Sequence, residues 1–492
     1  MQDQISSRDT EARPRTSAWR PGLTLGVIVA VGAAARLVLM TQVMRYDESV
    51  TFLLFGQSFE TALTNYGFLG PNNHILHSLL VRASTLVFGT DPWAIRVPAF
   101  VFGVLLIVAT YWWISSAVNR RAGLIAAALV AGSSLMIEYS TFARGYMIQA
   151  VAFVVLMEMG RRLLEERFWR RWAIWILVAV AGFATIPSFA FPFAAVVAWM
   201  GLNLIFGRQA GPRAPMTWSM VAAVAAVAAL SFLFHVPAIV TSGWVAVFDN
   251  DFVQPVPLWR LPSELGEMVV RTTRFILRDG VVAWALPILV APAIVGNRRS
   301  FGRFLTPALA VIGPIGVLAL FRVAPPPRIW LFLWPLYLSL AAVGLVALLD
   351  RLPERAQRPW LVPATAGALA VVMSLSVLAT GEVISSREGG TFRDGPEAAE
   401  FFDRNLQPGD RIVVVSHPWA VLQYYLEKRG RDPSPIRSSI DEASRLFVVV
   451  YHPRPQDLEG VLATVDSDDF TEPELVEALP ETDIYLMERE TA

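Results

Sequence analysis

Cysteine is absent from all 492 residues, which removes disulfides, thiolate nucleophiles and Cys-ligated metal sites at once while saying nothing of the redox compartment. Charge is scarce as well. Asp, Glu, Lys and Arg are 17% of the chain and sum to a formal net charge of +0, so the overall balance gives no reason to expect a nucleic-acid partner. Lysine is nearly missing: the basic residues are almost all Arg, whose planar fork is the better match to phosphate oxygens. Fixed-period repeats and low-complexity tracts are also lacking.

What the chain has is apolar length. Hydrophobic residues make up 54% of it and the mean hydropathy is +0.49, values that exclude an ordinary soluble enzyme. A helix rises about 1.5 Å per residue, so one crossing of a hydrocarbon core of about 30 Å needs about 20 apolar residues. Eleven such segments begin near residues 22, 93, 122, 146, 172, 188, 217, 280, 303, 328 and 361, and predict a mainly α, polytopic membrane protein. Pro187 either separates two of these helices or kinks a single long one. The first run, 23–44, follows a basic stretch with Arg8, Arg13, Arg15 and Arg20. It is too long for a cleaved signal peptide and is followed by no small-x-small cleavage site, so it reads as a retained first helix.

Arginine asymmetry orients the chain. With a cytoplasmic N-terminus, the basic segments 119–121, 161–171, 207–213, 297–303 and 350–358 all fall inside, as the positive-inside rule asks, and shifting the helix count by one anywhere breaks the alternation. The outer face then receives 45–93, 138–145, 241–280 and 323–327. The first of these holds two amphipathic stretches, 49–66 and 74–88, expected as short helices lying along the membrane surface. Pro325-Pro326-Pro327 is a short rigid turn before a helix. Composition changes after the last apolar run: 411–416 and 445–451 carry buried-strand patterns, and 395–405 and 419–429 helical ones. The expected organisation is a cytoplasmic tail over 1–21, a transmembrane domain over 22–380 and a small external α/β domain over 381–492.

Arg45-Tyr46-Asp47-Glu48 stands just beyond the outer end of the first helix. Two adjacent carboxylates beside a bilayer are costly unless solvated, paired or used. The bland reading is an interfacial loop. The functional one is that one carboxylate takes a proton from an attacking hydroxyl. His74 and His77, three residues apart, share a face if helical; they are candidate substrate contacts, and with nearby carboxylates would also suit a divalent cation.

These residues carry a resemblance. Asp47-Glu48 after the first helix is similar to the acidic pair of GT-C type membrane glycosyltransferases, in particular the family 39 group of protein mannosyltransferases and aminoarabinose transferases. Pro71-Asn72-Asn73-His74-Ile75-Leu76-His77, Phe88-Gly89 and Arg96-Val97-Pro98 resemble that group's first loop and second helix, and Phe142-Ala143-Arg144-Gly145-Tyr146 its second outer loop. Pro327-Arg328 leading into a helix with Pro335, and Pro408-Gly409-Asp410 before a strand, extend the likeness over nearly the whole chain. The resemblance implies transfer of a sugar from a polyprenyl-phosphate donor to a hydroxyl on a lipid, glycan or protein, with inversion, at the outer face of a bacterial plasma membrane. It implies Asp47 as base, with Glu48 orienting it or binding acceptor. Arg144 and Arg328 hold phosphate, and Asn73, His74, His77 and Tyr146 touch substrate. It implies no particular cofactor, and a divalent cation is left open.

Other readings stay open at this stage. Arg144 and Arg328 also suit snorkelling interfacial arginines or partners of Glu138. Asp249, Asp251, Arg271, Arg274 and Arg278 form a mixed charged set that a solvated face explains. His417-Pro418 and His452-Pro453 follow strand patterns and, if those strands are parallel, stand at the edge where open sheets bind ligands. A lipid-linked-substrate flippase would need polar groups near the midplane, for which Arg36 is the one partial example. A non-catalytic membrane scaffold would use the external domain to bind a partner.

Overall fold

Hydrocarbon offers no water to a peptide group, so an apolar run crosses it as a helix whose N–H and C=O groups bond one another. The computed structural model describes residues 21–66, 72–166, 168–207, 213–245, 254–278, 281–353, 355, 357–437, 439–441, 443–454 and 457–490. In chain order its helices are α1 (Pro21–Val38), α2 (Tyr46–Val50), α3 (Phe59–Thr64), α4 (Ile75–Phe88), α5 (Pro92–Ala117), α6 (Arg120–Gly132), α7 (Ser134–Ser140) and α8 (Tyr146–Glu165). There follow α9 (Trp169–Thr185), α10 (Ala190–Phe206), α11 (Arg213–Ser242), α12 (Leu261–Leu277), α13 (Val281–Val295), α14 (Ile312–Phe321), α15 (Leu333–Leu349) and α16 (Leu361–Thr380). The protein is thus mainly α and polytopic. Among the described residues six helices are long and apolar enough to cross a membrane, and the number is seven if α6 and α7, bent by 62°, count as one span.

All eleven expected segments are helical, but several fall short of a full crossing by length or composition. α9 and α13 have 17 and 15 residues, and α8 carries Glu158, Arg161, Arg162 and Glu165 in its last turns. At Pro187 the chain divides: α9 ends at Thr185, a 3-10 turn spans Pro187–Phe189, and α10 begins.

The bend between α6 and α7 leaves carbonyls at the end of α6 without helical partners. Arg36, fully buried in α1, supplies them: its guanidinium donates to the oxygens of Ala131 at 2.9 Å and Val130 at 3.3 Å, and to Gly32 of its own helix at 2.8 Å. A cation at a helix C-terminus is also favoured by the dipole. Arg36 therefore pins the broken span.

After α16 come α17 (Gly395–Asn405), β1 (Asp410–Val414), α18 (Pro418–Lys428), β2 (Arg445–Tyr451), β3 (Glu474–Leu479) and β4 (Thr482–Glu488). The strands form one sheet of order β1-β2-β4-β3, in which β1 and β2 are parallel and β4 is antiparallel to both neighbours. β1, β2 and both helices lie where the sequence pattern put them. The β3–β4 hairpin adds to these: β3 is half-exposed, with Glu474 and Glu477 interrupting its apolar residues, and the short apolar run of β4 lies between Asp483 and Glu488.

The stretch 49–66 departs from its expected form as a single surface helix. Tyr46–Val50 runs into a wide turn at Thr51–Phe55 and then, after a break, α3. Val50, Phe52, Leu53 and Phe55 are buried in a core shared with Phe402, Tyr424, Leu426 and Phe447 of the C-terminal unit. The apolar face is covered by protein, which removes the need for a regular amphipathic helix. Tyr425 seals the junction by accepting, through its hydroxyl, the Met44 N–H at 3.0 Å.

Close helix packing depends on two glycines. A Cβ on Gly344 of α15 would stand 1.6 Å from the Leu289 carbonyl oxygen of α13, and one on Gly313 of α14 would stand 2.0 Å from that of Ala194. Gly344→Ala is expected to destabilise the protein by about 1–3 kcal/mol, the usual cost of overpacking, whereas Gly367→Ala, which meets nothing within 4 Å, leaves it unchanged. Thermal unfolding of the detergent-solubilised variants checks the contrast.

Candidate active site

The acidic motif is held by the backbone on one side. Arg45 has extended backbone geometry and pairs as an antiparallel bridge with Thr391, and the N–H groups of Tyr46 and Asp47 donate to the oxygens of Gly390 (2.6 Å) and Gly389 (3.0 Å). Both glycines have positive φ, +73° and +71°, which disfavours a side chain. A Cβ would also meet the Phe142 ring at 2.4 Å or His417 at 2.3 Å. Arg45 is locked by a 2.8 Å ion pair to Glu138 and by bonds to the oxygens of Glu388 and Val383.

The two adjacent acids have opposite surroundings. Glu48 is fully buried: Arg96 of α5 grips it through Nε to Oε1 at 2.9 Å and through a terminal nitrogen to Oε2 at 2.6 Å, and the N–H groups of Ala143 (3.2 Å) and Arg45 (3.3 Å) donate to it as well. The rest of the Arg96 fork donates to the carbonyls of Met40, Gln42 and Val43. In the sequence Arg96 belongs to the Arg96-Val97-Pro98 motif. Its signal was an arginine in the second turn of an apolar helix, which demands a buried partner.

Asp47 is 8% exposed, and among the described residues its side chain makes one ion pair, to Arg328 at 3.1 Å. The proline run 325–327 leads into the 3-10 turn Pro327–Phe332 that presents Arg328. That same turn walls an apolar cavity of about 340 Å³, lined by Pro327, Trp330 and Trp334 with Met268 and Phe275 of α12 and Leu318 of α14. The Trp330 Nε1 and the Thr272 hydroxyl are buried there without partners among the described residues.

Arg144 stands in the turn between α7 and α8 and donates to the Thr51 hydroxyl (3.1 Å) and to the carbonyl and side-chain oxygens of Asn72 (3.0 and 2.6 Å). It is not the partner of Glu138. That carboxylate is held by Arg45 and, at 3.3 Å, by Arg278. Gly145 follows because a Cβ would meet the Thr185 methyl at 2.2 Å. Its N–H donates to Nδ1 of His74 at 2.8 Å, so the proton of the neutral ring sits on Nε2, which is buried without a partner among the described residues. The Tyr146 ring lies edge-on to His74 at 5.2 Å. His77 is also fully buried with neither ring nitrogen partnered. Burial first, then the Arg144 guanidinium, holds His74 well below the ordinary imidazole range and pushes His77 down to about 3, so both rings are neutral.

Asn73 is spent on its own loop. Its amide donates to the oxygens of Ala62 and Asn65 and accepts the Ser78 hydroxyl. Among the described residues no three His, Asp or Glu side chains converge as metal ligands. With one nitrogen of His74 taken by Gly145, and Asp47 and Glu48 held by arginines, the histidine pair does not fit a cation site. Of the external charged set, Arg271 and Arg274 are exposed, Arg278 joins Glu138, and Asp249 and Asp251 lie outside the described residues. His452 pairs with Asp483 at 3.1 Å, and His417 meets the Tyr46 ring at 4.6 Å.

No family model matches this chain. No curated protein sequence matches it either. Solved structures do. ArnT from Cupriavidus metallidurans in the apo state is 14% identical with a TM-score of 0.60, over 94% of this chain and 98% of that one. The same protein bound to undecaprenyl phosphate gives 13% and 0.55, over 94% and 97%. The archaeal oligosaccharyltransferase AglB from Archaeoglobus fulgidus, in complex with an inhibitory peptide and a dolichol-phosphate, gives 13% and 0.52, over 88% of this chain and 70% of that one. The chain shares the fold of these structures.

Proposed function

We propose that this protein is a membrane glycosyltransferase of the family 39 kind, which moves a sugar from a polyprenyl-phosphate donor to a hydroxyl acceptor at the outer face of a bacterial plasma membrane. The observation that carries the reading is the Asp47–Arg328 pair at the head of the apolar cavity, because one 3-10 turn supplies both the cation and the cavity wall. A lipid phosphate on Arg328 places its tail against Trp330 and Trp334. The structures similar to this one that hold undecaprenyl phosphate and dolichol-phosphate agree with a ligand of that class.

In this reaction Asp47 takes the acceptor's hydroxyl proton as that oxygen bonds the sugar's anomeric carbon from the face opposite the phosphate. The bond from that carbon to the phosphate oxygen breaks, its electron pair leaves on polyprenyl phosphate, and the centre inverts. Arg328 turns from Asp47 to the departing phosphate, and Arg144 adds a second cation. The unpartnered Nε2–H of His74 and Nε of Arg144 are buried donors suited to substrate oxygens. His77 has ring nitrogens open in the same way, and Tyr146 flanks His74. Glu48 acts by position: sealed by Arg96, it fixes the backbone from which Asp47 projects.

Eleven crossings, with the N-terminus cytoplasmic and residues 381–492 an external domain, suit this reading. Segments 45–93, 138–145, 323–327 and 381–492 meet around Asp47, whereas the pairs Arg121–Asp350 and Arg303–Glu165 join loops assigned to the other side. The flippase reading is weakened by Arg36, whose two terminal nitrogens both donate to helix carbonyls.

Asp47→Asn should lower transfer by about 10²- to 10⁴-fold, the usual contribution of a general base, with thermal unfolding unchanged; near-normal formation of the envelope product, read by mass spectrometry of cells carrying the variant, would remove Asp47 from the mechanism. Glu48→Gln should behave differently, costing about 3–5 kcal/mol of stability because it strands a buried arginine. Ile315→Trp, which fills the apolar cavity from α14, should raise KM for the polyprenyl donor several-fold with kcat little changed; an unaltered KM would place the lipid elsewhere.

A further inference from the structure

β1 and β2 run parallel, so the residues that follow them emerge at the same edge of the sheet. Ser416 and His417 follow β1, and Arg454 follows β2. Arg454 donates through one terminal nitrogen to the Ser416 hydroxyl oxygen and through the other to Nε2 of His417 at 3.1 Å, while Nδ1 of His417 and the Ser416 oxygen lie 2.8 Å apart. An arginine has only hydrogens to offer, so Nε2 is the acceptor and the neutral ring carries its proton on Nδ1. That proton goes to Ser416. The serine oxygen then accepts twice, which leaves its own hydrogen free to donate outward. Burial and the Arg454 guanidinium hold His417 below the ordinary imidazole value, against an opposing pull from Asp47, consistent with the neutral ring.

Three features set this cluster apart from an ordinary loop contact. Among the described residues Arg454 has no carboxylate partner, so its charge is uncompensated, and three of its five N–H groups are uncommitted. Ser416 holds φ +70°, a left-handed conformation rare for a residue with a side chain. α18 starts directly after His417 with no side chain capping its first turn, so the helix dipole adds to the same positive field. The cluster also touches the acidic motif: His417 packs edge-on to Tyr46 at 4.6 Å and against Gly390, whose oxygen binds the Tyr46 N–H.

We propose that Ser416 and Arg454, steadied by His417, form an acceptor subsite that binds a phosphate group carried by the acceptor, beside the hydroxyl that Asp47 deprotonates. The assignment rests on the transferase reading and adds the acceptor's chemistry to it. A hydroxyl, a multi-donor guanidinium and a helix start together match a tetrahedral oxyanion better than a flat carboxylate. The donor phosphate has its own cations, Arg328 and Arg144, on other elements.

The test uses the full-length protein in dodecylmaltoside. It is first titrated with undecaprenyl phosphate to fill the donor site and then with inorganic phosphate, each followed by calorimetry. Inorganic phosphate is expected to bind the lipid-saturated protein, at least tenfold more weakly in Arg454→Gln and to an intermediate degree in Arg454→Lys, and acetate is expected not to displace it. No phosphate binding by the saturated wild type, equal affinity in a stably folded Arg454→Gln, or displacement by acetate would overturn the subsite. If Arg454→Gln lowers the unfolding temperature, Ser416→Ala decides instead: binding at least threefold weaker supports the subsite and unchanged binding overturns it. Should undecaprenyl phosphate itself not bind, the donor reading fails by that result, while phosphate titration of the unsaturated protein, wild type against Arg454→Gln, still decides the subsite.

Discussion

The buried pair of Glu48 and Arg96 is the constraint on which the candidate site depends. A carboxylate removed from water must have its charge and lone pairs met, and here one guanidinium and two backbone N–H groups meet them all. Because Arg96 also collects three carbonyls from residues 40–43, the exit from α1, the start of α5 and the turn before α8 are tied at one point. Asp47 is the next residue back along this fixed backbone. Its freedom to face Arg328 is a consequence of its neighbour's having none.

A second tie runs from the acidic motif to the C-terminal unit. Two consecutive N–H groups bond Gly389 and Gly390, where the positive φ and the crowding by Phe142 and His417 leave no room for other residues. Gly389, Gly390 and His417 of the C-terminal part of the chain thereby stand against the acidic motif. This makes a purely detachable binding module a poor description of the C-terminal unit.

Much of this was legible in the sequence, for identifiable reasons. Apolar length marked the helices because lipid leaves the backbone no alternative, and the Asp47-Glu48 and Phe142–Tyr146 motifs stood at helix ends where charge is costly. The different surroundings of the two acids were not legible, since they are decided by Arg96, 48 residues away, and Arg328, 281 away. Asn73 and Arg144 show the same limit: side chains picked out by their chemistry turn out to spend part or all of it on neighbouring loops. The 49–66 stretch misled because its apolar pattern fits a membrane surface and a protein interface equally well. The cluster of Ser416, His417 and Arg454 depended on knowing that β1 and β2 are parallel, which no local pattern states.

In the proposed function the lipid phosphate docks at Arg328 with its tail along the apolar cavity. Electron cryo-microscopy of the protein with bound undecaprenyl phosphate tests this directly. Phosphate density is expected within hydrogen-bonding reach, about 3 Å, of the Arg328 guanidinium, and isoprenoid density against Trp330 and Trp334. Phosphate density at the opposite end of the helices, beside Arg121 and Arg303, would contradict it.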